Sequence, residues 1–229
     1  GEEVRVSHLS KRLGMTKMSL FRYLATFESR GYVEKTKKTG RYRLGQTAYE
    51  IGQKLLSRNN LLREAKPIIE KLARECDEAL YLAVPRGNEV LMLDMVDTTR
   101  QIKIIPLLGN RYPLTGTTAG RVLVAHGDSA RASCSRQELT SLAAKLAVIA
   151  EQGSDCDRGG FGEGIASLAV PIIDADGNCP GSICMIGPEF RLTGKLIEES
   201  LLPKLVDAGI IVSSKLGYVE HLIDKTTYR

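Results

Sequence analysis

The first 45 residues hold two short helical patterns separated by a glycine turn and followed at once by a strand pair, an order that few small folds accept. Residues Val6–Gly14 predict a short helix, with Ser7 as its N-cap, Leu9 and Leu13 four residues apart, and Gly14 as its stop. Gly14-Met15-Thr16 reads as a tight turn, and Thr16 caps a second helix from Lys17 to Ser29. Along that helix Leu20, Leu24 and Phe27 fall at i, i+4 and i+7 and predict one buried stripe; Gly31, after Arg30, suits a helix stop. Beyond Gly31 the period changes. Tyr32-Val33-Glu34 and Arg41-Tyr42-Arg43-Leu44 predict a hairpin whose tip, residues 35–40, carries three lysines.

Charge gives this segment a direction. Residues 1–60 hold thirteen Lys/Arg against five Glu, a surplus of eight in a chain whose net charge is +5, so the other 169 residues sum to −3. A basic end on an acidic body points to a polyanionic partner. At 100° per residue Met18 and Arg22 lie nearly opposite Leu20, with Lys17 and Ser19 beside them near the helix start. A recognition helix has this layout, its apolar face packed and its outer N-terminal face in the major groove. Arg22 suits a bidentate bond to guanine, Ser19 a base or phosphate, and Met18 a thymine methyl. Thr16, Lys17 and the helix N-terminus suit phosphate. Lys37, Lys38 and Arg41 on the hairpin suit the neighbouring backbone or minor groove. The expected partner is double-stranded DNA at a promoter operator.

The run HLSKRLGMTKMSLFRYLATFESRGYVEKTKKTGRYRLG resembles the DNA-binding domain of the isocitrate lyase regulator (IclR) family of bacterial transcription regulators. The resemblance implies a winged helix-turn-helix over residues 1–45. That family's domain begins with one more helix ahead of Ser7, which this sequence starts too late to contain. Gln46–Cys76 is helical in character: Ala48, Ile51 and Leu55, then Leu62, Ala65, Ile69, Leu72 and Ala73, form stripes broken at Ser57-Arg58-Asn59-Asn60, and Pro67 marks a first turn or a kink. We read residues 46–62 as a linker helix and 63–229 as a second domain. Striped linkers of this kind are dimerisation surfaces, and a homodimer, or a tetramer built from it, matches a pseudo-palindromic operator.

In the second domain, strands are expected at Ala79–Pro85, Glu89–Val96, Gln101–Pro106, Ile165–Ile173 and Ser182–Ile186, with a hairpin turn at Asp174-Ala-Asp-Gly177. Helices are expected at Thr117–His126, Arg136–Gln152 and roughly Thr193–Leu216. The mixed order predicts an α+β domain with a largely antiparallel sheet. The segments PLTGTTAGRVLVA and GEGIASLAVPIIDADGNCPGSICMIGP resemble the same family's GAF-like effector-binding domain. By that resemblance a small-molecule effector contacts Thr117, Thr118, Ala119, Asp157, Ser167, Cys184 and Ile186. Cys184 and Ile186 stand where some relatives carry serines, and Ser167 where many carry cysteine. The apolar Ile186 favours an effector larger or more hydrophobic than glyoxylate, such as an aromatic acid. Gly127–Asp157 is shorter than usual in the family and lines one side of the expected pocket.

Other chemistries find little material. The Gly/Thr-rich Thr115–Arg121 lacks the Gly-Lys-Ser/Thr ending of a P-loop, and it reads either as an effector-anion site or as close packing. Asp155, Asp157 and Glu163 read as solvated loop charges. No Ser-His-Asp order, paired-carboxylate motif or H-E-x-x-H occurs among three scattered histidines, so no catalytic residue, metal or cofactor is expected. Five cysteines at irregular spacing, with no CxxC, read as reduced thiols in or near the core. The apolar runs are shorter than the ~20 residues that span a bilayer. The opening Gly1-Glu2-Glu3-Val4-Arg5 lacks an apolar signal core, so a cytoplasmic protein without a membrane partner is expected. The reading is a ligand-responsive regulator, repressor or activator according to where its site lies relative to the promoter. Its rivals are a thiol-based redox sensor using Cys156, Cys179 or Cys184, and an enzyme domain fused to a DNA reader.

Overall fold

The computed structural model describes residues 3–57 and 59–219, and it divides the chain into two compact units, 1–59 and 60–229. In the first unit α1 (Val6–Leu13) and α2 (Lys17–Ser29) lead into the antiparallel hairpin β1 (Val33–Lys35) and β2 (Tyr42–Leu44), then α3 (Gln46–Ser57). Thr16 caps α2 by accepting from the Ser19 amide at 3.2 Å. The predicted Ser7 cap does not form: α1 starts at Val6 with Arg5 at the N-cap position. Val4 exchanges backbone bonds with Tyr42 at 2.8 and 2.9 Å, which keeps the chain extended through Arg5, so the helix begins where that pairing ends. Leu20, Leu24 and Tyr42 form the small core with Val6, Leu9 and Val33. Phe27 leaves the expected stripe, 47% exposed and edge-on to Tyr32. In the connector stripe, the side chain of Leu55 and residue Arg58 lie outside the described residues.

The second unit starts with α4 (Asn60–Cys76), which runs through Pro67 at an exposed interior position rather than starting there. Six strands follow: β3 (Ala79–Arg86), β4 (Glu89–Val96), β5 (Arg111–Pro113), β6 (Asp155–Arg158), β7 (Ile165–Ile172) and β8 (Gly181–Pro188). They form one antiparallel sheet in the order β5-β4-β3-β8-β7-β6. Between β5 and β6 come α5 (Thr118–His126), α6 (Asp128–Ala132), α7 (Arg136–Ser141) and α8 (Ala143–Gln152). After β8 come the single turn α9 (Gly194–Leu196), a π-type turn at Ile197–Leu201 and α10 (Leu202–Lys215).

Strand alternation gives the sheet two buried faces. Leu80, Leu82, Leu168, Val170, Ile183 and Met185 pack with Ile69 and Leu72 of α4 and Leu205 and Val212 of α10. Tyr81, Ala83, Ala169, Cys184 and Ile186 pack with Val122 and Leu123 of α5 and Leu146 and Ile149 of α8. The architecture is α+β, a winged helix-turn-helix unit followed by a sheet with helices on both faces.

Two expectations need correction here. Gln101–Pro106 is not a strand: the Asp77 carboxylate receives Thr98 and Thr99, Arg191 donates to the Ile102 carbonyl at 2.9 Å, and Ile102 and Ile105 project into solvent. The third strand is Arg111–Pro113, paired with the start of β4. The helix expected over Arg136–Gln152 breaks at Leu142 into α7 and α8.

Candidate DNA interface and effector site

On α2 the outer face is open. Lys17, Met18 and Arg22 are exposed, Met18 by 76%, and no acidic side chain pairs with Lys17 or Arg22 among the described residues. The Thr16 hydroxyl donates to Ser19 Oγ at 3.0 Å while also capping the helix, so the two hydroxyls form one polar spot at the helix start. Tyr23 and Thr26 continue the exposed face beside Arg22, an extension the sequence reading did not include. On the hairpin Lys37 and Lys38 are exposed and Arg41 is half-buried. The Glu3 carboxylate receives the Thr36 and Thr39 hydroxyls at 2.8 and 2.9 Å, which fixes the tip that carries the two lysines. Those two bonds hold Glu3 below the usual carboxylate range.

In the second unit the residues predicted to contact an effector converge from four elements. Asp157, Ser167 and Ile186 stand side by side across β6, β7 and β8, and Ala79 of β3 continues the row. The next row is Asp155, Ala169, Cys184 and Tyr81. The N-terminus of α5 rests on these rows. Thr118 Oγ1 donates to Ser167 Oγ at 3.0 Å and lies 3.7 Å from Cys184 Sγ; Ser182 Oγ donates to the Ala119 carbonyl at 3.3 Å. Thr117 caps the helix by accepting from the Gly120 amide at 3.2 Å. Gly120 lets the helix pack against the turn before it, because a Cβ there would lie 2.1 Å from the Leu114 carbonyl oxygen. The amides of Thr118 and Ala119, in the first turn of α5, have no intrahelical acceptor, which suits an anion.

The reading of Asp155 and Asp157 as solvated loop charges is overturned. Both lie on β6, and Asp155 is 5% exposed. Arg121, also 5% exposed, donates from Nε to Asp155 and from Nη2 to Asp157, each at 2.7 Å. Lys145 Nζ lies 3.6 Å from the second Asp155 oxygen, and Asp157 also accepts the Arg158 amide at 2.6 Å. Burial pushes the Asp155 carboxyl up, with Arg121 and Lys145 pulling against it. Six of the seven predicted effector residues are buried, and Asp157 alone reaches the rim. Arg121, Asp155 and Tyr81 adjoin these residues, and the sequence reading does not include them among the effector contacts. The alternation Asp155-Cys156-Asp157 was the available signal, since i and i+2 of a strand share a face.

Burial pushes the Cys184 thiol up to about 12, and likewise Cys179, while Cys156 is pushed up to about 11. Such thiols are weak nucleophiles at neutral pH. No helix among the described residues is long and apolar enough to cross a membrane.

Comparison with known proteins bears on both units. The domain described as "Bacterial transcriptional regulator IclR C-terminal" matches residues 53–214, and the "IclR helix-turn-helix domain" matches residues 1–37. The chain is 30% identical to a glycerol operon regulatory protein of Streptomyces griseus, covering 93% of this chain and 88% of that protein. It is 25% identical to the HTH-type transcriptional regulator KdgR of Escherichia coli, covering 96% and 88%. The crystal structure of an IclR homologue from Microbacterium hydrocarbonoxydans complexed with 4-hydroxybenzoate has the same fold, with TM-score 0.78 at 21% identity over 93% of this chain and 91% of that one. The chain therefore belongs to the IclR family of bacterial transcription regulators.

Proposed function

We propose that this regulator reads duplex DNA with Lys17, Met18, Ser19 and Arg22 of α2, anchors to phosphate through Thr16, Lys37, Lys38 and Arg41, and responds to a small carboxylate with an apolar body. The observation that carries the DNA reading is the basic outer face of α2, which has no acidic partner among the described residues while its apolar face is packed. A homodimer sets two such helices in successive major grooves, about 34 Å apart, and so reads a pseudo-palindrome. The effector carboxylate lies on the Thr117–Ala119 amides, and its body lies over Ser167, Cys184 and Ile186. Ile186 and Tyr81 favour an aromatic acid over glyoxylate, a preference in keeping with the 4-hydroxybenzoate bound to the Microbacterium homologue. Effector and operator are coupled because the effector favours one of two states that differ in DNA affinity.

The test is retention of genomic fragments by the full chain at fixed salt. We expect recovery of a pseudo-palindromic site, lost in Arg22→Ala, and a shift in its affinity when 4-hydroxybenzoate is added. Retention that is independent of sequence and vanishes with salt overturns the DNA reading. A panel of aromatic and aliphatic carboxylates that leaves operator affinity unchanged overturns the effector reading.

A further inference from the structure

Helix α5 has a second end, and it meets a cavity. About 500 Å³ lies among His126, the last turn of α8 from Ala150, Pro171 of β7, Val206 and Ile210 of α10, and Tyr218. That volume is within the range that accepts a drug-sized molecule. His126 is the last residue of α5, roughly 12 Å along the helix from Thr118. This space is thus separate from the effector residues.

We infer that this cavity is a second ligand site, for an uncharged aromatic molecule carrying one hydrogen-bond donor. Pro171, Val206 and Ile210 give the wall an apolar part, which accepts the ring. The donor is set by His126, which lines the cavity. Its Nε2 is enclosed and has no hydrogen-bond partner among the described residues. A buried acceptor without a donor is costly, and a ligand hydroxyl or ring N–H satisfies it. The imidazole χ2 well is broad, so a modest turn of the ring brings Nε2 to the cavity face. Burial holds His126 below the ordinary histidine range, so the ring is a neutral acceptor at pH 7. An anion is disfavoured because the wall includes the carbonyl end of α8 and Glu151. The two ends of α5 thus select ligands of opposite character.

The experiment is calorimetric titration of the full chain with 2-naphthol, compared with naphthalene, which has the same rings and no donor. We expect saturable binding of 2-naphthol, roughly five- to tenfold tighter than naphthalene. His126→Phe should bring 2-naphthol down to the naphthalene affinity. Ala150→Trp, a change at an exposed helix position on the rim, should block both ligands. Nitrogen-15 spectra of the wild-type ring should show the His126 Nε2 signal moving on titration, and excess 2-naphthoate should not displace the ligand. The inference is overturned if 2-naphthol fails to saturate the wild-type chain. It is equally overturned by binding that either variant leaves unchanged, or by displacement with 2-naphthoate.

Discussion

Replacing Arg121 with methionine tests whether the buried charge cluster holds the proposed effector site together. The substitution keeps most of the side chain's apolar volume and removes the donors to Asp155 and Asp157. Asp155 is 5% exposed and retains, among the described residues, only the cation of Lys145, at 3.6 Å and on the solvent side. Breaking a buried pair on one side costs about 3–5 kcal/mol, because the remaining charge stays desolvated. With a urea slope of about 2 kcal/mol/M, a loss near 3 kcal/mol lowers the unfolding midpoint of this unit by about 1.5 M. The chain has no tryptophan, so far-ultraviolet circular dichroism is the suitable probe. The double variant Arg121→Met/Asp155→Asn should recover part of the loss, since it removes the stranded charge. pH supplies an independent check. Burial already raises the folded-state Asp155 carboxyl above its unfolded value, so its contribution is most favourable below the unfolded pKa and is lost as pH rises through the folded one. Without Arg121 the folded value rises further, so acidification from neutral pH should recover more stability in Arg121→Met than in the wild type. A midpoint shift below about 0.5 M, or no difference in pH response, refutes the reasoning.

Other predictions concern single groups. Arg22→Ala should cost about 1–3 kcal/mol at the operator and relax base preference at one position per half-site, read by anisotropy against variant operators. Lys37→Ala with Lys38→Ala should instead weaken all sequences alike and reduce the logarithmic salt slope by about two. The buried Tyr81 phenol is pushed up to about 12, so this residue should show no phenolate absorbance until well above pH 11. Its contribution to stability is complete below pH ~10 and is lost as pH rises toward the folded value. A thiol reagent on the native chain should leave Cys179 and Cys184 unmodified, and peroxide should leave operator binding unchanged; a response lost in a Cys→Ser variant would favour the redox rival.

Where local chemistry decides structure, the sequence was readable. Thr16 and Gly31 bound α2 because a cap hydroxyl and a left-handed residue act on their immediate neighbours. The alternation in Ile165–Ile172 and the Asp174–Gly177 turn located β7 and the start of β8 for the same reason. β6 was missed because Asp-Cys-Asp-Arg carries no apolar stripe; it is an edge strand whose inward groups are charged. The Ile-rich 101–106 reads as a strand, yet Asp77 holds Thr98 and Thr99 just ahead of it and the distant Arg191 takes the Ile102 carbonyl. The Arg121–Asp155 contact spans 34 residues, and no local pattern reveals that a buried guanidinium has found its counter-ion. The effector residues themselves came from the family resemblance, and what they rest on was invisible to it.

The charge cluster also bears on how an anion reaches this site. Arg121 and Lys145 face Asp155 and Asp157, two cations against two carboxylates, so the floor under α5 is neutral as a whole. An arriving carboxylate therefore meets no net positive charge there and gains only the half-charge of a helix terminus. Its residence then depends on how much hydrocarbon it brings. Affinity across a series of acids should climb with ring size and barely respond to ionic strength, whereas operator binding by the same molecule should fall steeply as salt is added.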